Sequence, residues 1–158
     1  MKKINRSLAA VVVILATLGL TACNDKTAKA LRDTSVLLNS TAKVVSTLHD
    51  QGYIADASYP DIVRAQIEVV KTHKEAIAFF RSVDKITPEN KGVALLRVDA
   101  VLLSLERLQQ QGLLHIKDPT KQAFLVGTLA GIRANVAVIR AFIEQIQKPT
   151  RIPVPNTA

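Results

Sequence analysis

Apolar residues recur at helical spacing from Ala28 to Leu48: Leu31, Leu38 and Val45 stand seven apart, with Thr34, Thr41 and Leu48 as a companion row. That period predicts an amphipathic helix with a moderately apolar seam. Gly52 is the expected stop, because a left-handed C′ position costs glycine least. Ser58-Tyr59-Pro60-Asp61 predicts the next start, with a capping hydroxyl, a proline in the first turn and an acid at the positive helix end. Ile62, Val69, Ala76 and Val83, with Ile77 and Phe80 beside them, carry this helix to about Val83. Thr87-Pro88-Glu89 opens a third helix, whose core face steps through Ala94, Val98, Val101, Leu105 and Leu108, widened by Leu95 and Leu102. Gly112 is expected to end it. Asp118-Pro119 opens a fourth helix, running to about Gln147.

The stretch from Phe124 to Ile146 is apolar almost all round, broken by Arg133, Asn135 and Arg140. Such a helix is expected in the middle of its bundle. It does not read as a membrane span, because two arginines and an asparagine near its centre are costly in hydrocarbon. The fold predicted is all-α, an antiparallel up-down four-helix bundle over residues 28–147 with helix four most buried. Residues 148–158 hold Pro149, Pro153 and Pro155 without periodicity and read as a flexible, disordered tail. A weak internal echo accompanies the pattern. Gln51-Gly52 before Pro60 recurs as Gln111-Gly112 before Pro119, and at an offset of sixty Leu38, Val45, Leu48 and Ile54 align with Val98, Leu105, Leu108 and Leu114.

A length of 158 residues suits one domain, and 48% apolar residues with six Gly and six Pro exclude a disordered or collagenous chain. The N-terminus stands apart. Met1 to Arg6 is short and basic, and Leu8 to Ala22 is apolar. Fifteen helical residues rise only ~22 Å, short of a ~30 Å hydrocarbon core, so the segment reads as a secretory signal and not as a span. The signal ends in Leu20-Thr21-Ala22-Cys23, which resembles the lipobox of bacterial lipoproteins: Leu, two small residues, then the Cys that receives lipid.

This resemblance covers residues 1–23 alone. It implies diacylglyceryl transfer to the Cys23 sulfur, cleavage between Ala22 and Cys23, and acylation (palmitate) of the new amino group. Two or three chains anchor a protein to a membrane without spanning it. Residues 23–27 would then be the lipidated Cys and a short polar tether. In lipoproteins of enteric type, Asp after the Cys favours the inner membrane. Asn24 holds that position here, so the resemblance implies the periplasmic face of the outer membrane.

The charge of +8 is diffuse, with no basic run, and the six aromatics are not interleaved with bases. Together with export, this argues against nucleic acid as a partner. A single Cys excludes disulfide frameworks, multi-Cys metal sites and covalent c-type haem. His49, His73 and His115 have no Glu or His at metal-ligand spacing, so no metal and no cofactor are expected. His73, aligned with Ile132 at an offset of fifty-nine, reads as a hydrogen-bonded core residue before it reads as a ligand. Asp99, ringed by Val98, Ala100, Val101, Leu102 and Leu103, reads as the partner of Arg133 or Arg140 before it reads as a catalytic acid. The serines have no Gly-x-Ser-x-Gly elbow. Gly127-x-x-x-Gly131, preceded by Ala123, makes a smooth ridge that reads as close helix packing within the bundle, or as a partner site.

These observations lead to an expectation of a non-catalytic, membrane-anchored envelope lipoprotein acting by binding or position, in an accessory, exclusion, immunity or lysis-type role, with an envelope protein as partner. The alternative is a carrier of a small apolar or anionic ligand held between helices, which needs a pocket of ~300 Å³ or more.

Overall fold

The computed structural model describes residues 24–146 (backbone only for 24–26 and 28). The signal segment, the Ala22–Cys23 junction and the 148–158 tail lie outside the described residues. Four helices follow one another: α1 (Asn24–Asp50), α2 (Tyr59–Ser82), α3 (Lys91–His115) and α4 (Pro119–Glu144). Each packs on its neighbours in the chain and α4 closes the ring against α1, while diagonal pairs stay apart. This is the predicted four-helix bundle.

The core consists of one stripe from each corner. On α1 the buried positions are Thr27, Leu31, Thr34, Leu38, Thr41, Val45 and Leu48, alternating steps of four and three. On α3 they are Ala94, Val98, Val101, Leu105 and Leu108, as the pattern predicts, joined by Ser104 and Gly112. Ile62, Ala65, Val69, His73, Ala76 and Phe80 line α2. Leu125, Leu129, Ile132, Val136, Ile139 and Ile143 line α4. Fully burying each aliphatic side chain of this size contributes about 1.5–3 kcal/mol, so these stripes drive assembly. Their phases carry the echo further than the sequence identities do. Thr34, Leu38, Thr41, Val45 and Leu48 match the α3 stripe at an offset of sixty, and His73 falls in phase with Val136, not Ile132. Ile54 pairs directly with Ile116 in an antiparallel bridge between two loops, whereas Leu114 is 73% exposed.

The helix ends obey local chemistry, with some corrections to the expected boundaries. Gly52 takes φ +77° and closes a Schellman motif, its N–H donating to the His49 carbonyl and that of Tyr53 to the Leu48 carbonyl. Gly112 does not stop α3; it lies one turn inside, and a Cβ there would meet Leu125 Cδ2 at 2.5 Å. The glycine serves close approach of α3 and α4. Asp118 caps α4 as expected, Oδ1 accepting from the N–H groups of Thr120 and Lys121. Ser58 precedes α2 but makes no capping bond. Thr87-Pro88-Glu89 forms a turn ahead of α3, where Asn90 Oδ1 accepts from the Thr87 N–H and its amide donates to the Lys85 carbonyl. Helix α1 starts at Asn24, so the polar stretch 24–27 is helical and Thr27 joins the core stripe.

One larger expectation is overturned. Helix α4 is not central; it occupies a corner like the others, with one buried stripe. Its remaining apolar residues face outward: Ala123, Phe124, Gly127, Ala130, Gly131, Ala134, Ala137, Val138 and Ala141 are all exposed. The same helix is long and apolar enough to cross a membrane by length and composition, with a mean hydropathy of 1.5 over its best window. Small side chains explain both facts. Alanine raises the hydropathy while burying little area, so an alanine-rich face mimics a buried helix in sequence.

Candidate functional site

Residues singled out in the sequence do not converge. Cys23 and Ala22 lie outside the described residues. Gly127 and Gly131 face solvent, and a Cβ on either would meet nothing within 4 Å, so they do not pack helices within the bundle. His73 is in the core, 3% exposed, with Nε2 3.2 Å from Thr34 Oγ1. That hydroxyl donates to backbone carbonyls of its own helix, Leu31 at 2.7 Å and Ala30 at 3.0 Å. The ring N–H is therefore the donor to Thr34. Burial lowers the His73 pKa below its ordinary value, partly opposed by the Leu31 carbonyl. A neutral imidazole satisfied by a neighbouring helix is a structural element.

His49 and His115 sit at the opposite end of the bundle from the helix-one start. His49 stacks on Tyr59 at 3.9 Å and approaches Asp56 at 3.0 Å, while His115 accompanies Gln111 at 3.1 Å and Asp61 at 3.9 Å. Asp99 pairs with Arg140, Nε to Oδ1 2.6 Å, and Glu144 completes the pair from the other side. Hydrogen bonding to Asp99, then the charges of both carboxylates, raise the guanidinium pKa further. Thr72 and Ser104 share a partly buried hydrogen bond of 2.9 Å across α2 and α3. Among the described residues no three His, Cys, Asp or Glu side chains gather as a metal site would need.

A different place draws attention, and no sequence motif marked it. At the end of the bundle where α1 finishes and α4 begins, a half-open groove of about 460 Å³ lies between the two helices. Val44 and Leu48 of α1 and Phe124 of α4 form its apolar walls; Lys43 and Lys121 flank it, and Thr47, Gln51 and Thr120 supply polar edges. Phe124 is 58% exposed. Lys121 Nζ stands 5.2 Å from the centroid of the Tyr53 ring, a cation–π contact that restricts the ammonium. Neither lysine has an ion pair among the described residues, and no acid lines the groove.

The groove exists because this seam is the least sealed of the four. Helices α2 and α3 are tied by Arg97–Glu75 and Arg107–Glu68, and α3 and α4 by Arg140–Asp99. Among the described residues no ion pair joins α1 to α4, and their backbones make the sparsest contact in the ring. The arrangement can hold a molecule with an apolar body and a negative group. Comparison with known proteins returns no match: no family model fits the chain, and neither a curated protein nor a solved structure resembles it.

Proposed function

We propose that the chain is a bacterial envelope lipoprotein, anchored through Cys23, that works by binding or position and not by catalysis. The run Leu20-Thr21-Ala22-Cys23 at the end of a short apolar segment carries the anchor reading. The non-catalytic reading is supported by how the polar side chains are used. His73 holds Thr34, Asp99 holds Arg140, and Thr72 holds Ser104, each a pair between helices. The hydroxyl beside an imidazole, Thr34 by His73, is buried in the core with its proton given to backbone carbonyls of its own helix. The favoured location is the periplasmic face of the outer membrane, with Asn24 after the lipidated position. An envelope partner in an accessory, exclusion, immunity or lysis-type role fits a small anchored bundle. The groove between α1 and α4 favours a second reading beside it, a carrier of a small apolar or anionic molecule, since its volume falls within the ~300–1,000 Å³ of ligand sites.

Metabolic labelling with palmitate tests the anchor. Full-length chain expressed with its own leader should incorporate label and sediment with membranes, and Cys23→Ser should lose both. An unlabelled, soluble wild-type chain would overturn the lipoprotein reading. If position matters, the same substitution should also abolish activity in the cell, because anchoring concentrates the domain in a thin layer. Full rescue by a soluble exported form would favour the carrier.

A further inference from the structure

We infer that the α1–α4 groove binds a single-chain anionic amphiphile of the long-chain carboxylate type, its acid between Lys43 and Lys121 and its chain running along the seam. The inference deepens the binding reading, and its choice of a free acid over a bilayer lipid rests on the proposed anchor.

Charge fixes one end. Two ammonium groups flank an apolar floor with no carboxylate among the lining residues. Asp118 spends its Oδ1 on the N–H groups of Thr120 and Lys121, and Asp50 lies beside His49. An anion entering here meets two ammonium groups that have no ion pair among the described residues. Tyr53 holds one of the two cations in place.

Shape fixes the other end. Seven and fourteen residues beyond Phe124, on the same side of α4, come Gly131 and Val138, both exposed. Seven residues before Lys43 and Val44, on the facing side of α1, come Val36 and Leu37, exposed at 66% and 41%. Apolar positions therefore recur past the groove towards the other end of the bundle, with Ser40, Thr128 and Asn135 between them, over ~25 Å between Lys121 and Val138 at helical rise. A narrow seam with charge at one end fits one extended chain better than a compact apolar molecule.

Position separates the free acid from a bilayer lipid. Lys43 lies ~30 Å along α1 from Asn24 at helical rise, so a bundle standing on its anchor carries the charged end clear of the headgroup layer. The occupant is then a molecule that has left the membrane.

The test is photo-crosslinking of the full-length lipidated chain in phosphatidylcholine nanodiscs. One arm uses a diazirine-bearing palmitic acid and the other a diazirine-bearing phosphatidylglycerol built into the disc. With the diazirine placed along the chain, label from the fatty acid should map to peptides containing residues 36–44 and 124–138. Oleate should compete and oleyl alcohol should not. Lys43→Ala with Lys121→Ala should weaken labelling about tenfold or more with circular dichroism unchanged, the loss expected for removing charge-assisted contacts. Phe124→Ser, at an exposed position, gives a second variant that spares the core. Equal competition by the alcohol, undiminished labelling in the double-lysine variant, or label spread over Leu96 and Leu114 would overturn the inference. So would groove labelling by the phospholipid alone, which would assign the site to the bilayer. Palmitate incorporation at Cys23 is read separately, so failure of the anchor and failure of the groove are distinguishable.

Discussion

His73 on α2 donates a hydrogen bond to Thr34 on α1 across 3.2 Å of otherwise apolar core. The N–H is present in both ring forms, so it is burial and not this bond that disfavours the charged ring. Burial holds the folded pKa below the ordinary 6.5, while the unfolded ring titrates near that value. Stability from this group is therefore complete above pH 6.5. Below that pH the unfolded chain binds a proton the folded chain refuses, and stability falls by up to about 1.4 kcal/mol per pH unit until the folded ring also protonates. His73→Leu removes this term. Thr34 stays satisfied by its own backbone carbonyls, so the variant should be near neutral or more stable at pH 7.5. Urea unfolding at pH 7.5 and pH 5.5 checks it: the variant should lose less stability between the two than the parent. Equal losses would show that the buried imidazole does not set the acid response.

Two glycines of similar sequence appearance should respond oppositely to the same change. Gly112→Ala places a methyl 2.5 Å from Leu125 Cδ2 in a filled core, so Leu125 must move. The helix-propensity gain of about 1 kcal/mol should be outweighed, leaving a net loss of about 1 kcal/mol. Gly131→Ala adds its methyl to open space and should gain about 0.5–1 kcal/mol. Shifts of denaturation midpoint in opposite directions, at unchanged slope, are the expected result. A stabilised Gly112→Ala would mean that the Leu125 side chain swings aside at little cost.

The contrast shows where sequence reasoning holds. Periodicity located the apolar core positions of α3, because Ala94 to Leu108 keep a strict four-three step even with Leu95, Leu96, Leu102 and Leu103 on the flanks. On α4 it failed, since an outward face rich in alanine, with Phe124 and Val138, has the hydropathy of a buried face and faces solvent. The pairing of Asp99 with a helix-four arginine was legible, because an acid among apolar residues needs a base within reach. The groove was not. Lys43, Val44, Lys121 and Phe124 are separated by more than seventy residues of chain, and only the closing of α4 on α1 brings them together. No spacing rule connects two lysines across an interface whose defining property is the lack of a seal.

The starts of α2 and α4 look alike in sequence, a polar residue followed closely by proline, yet they differ in mechanism. Asp118 has extended backbone at φ −79°, ψ 118°, which aims its carboxylate at the N–H groups of Thr120 and Lys121 at 2.8 and 3.0 Å. Ser58 has near-helical backbone at φ −97°, ψ −21°, and its hydroxyl makes no cap. Its place is taken by the preceding turn, in which the N–H groups of Ser58 and Tyr59 donate to the Ala55 carbonyl. Asp118→Ala should therefore cost about 1 kcal/mol, the loss usual for a capping carboxylate at a positive helix end. Ser58→Ala should stay within about 0.5 kcal/mol of the parent, as for surface changes that break nothing. Thermal melts of the two variants under one buffer decide the matter. Equal losses would mean that Ser58 caps α2 in solution and that its backbone adopts the extended conformation Asp118 shows.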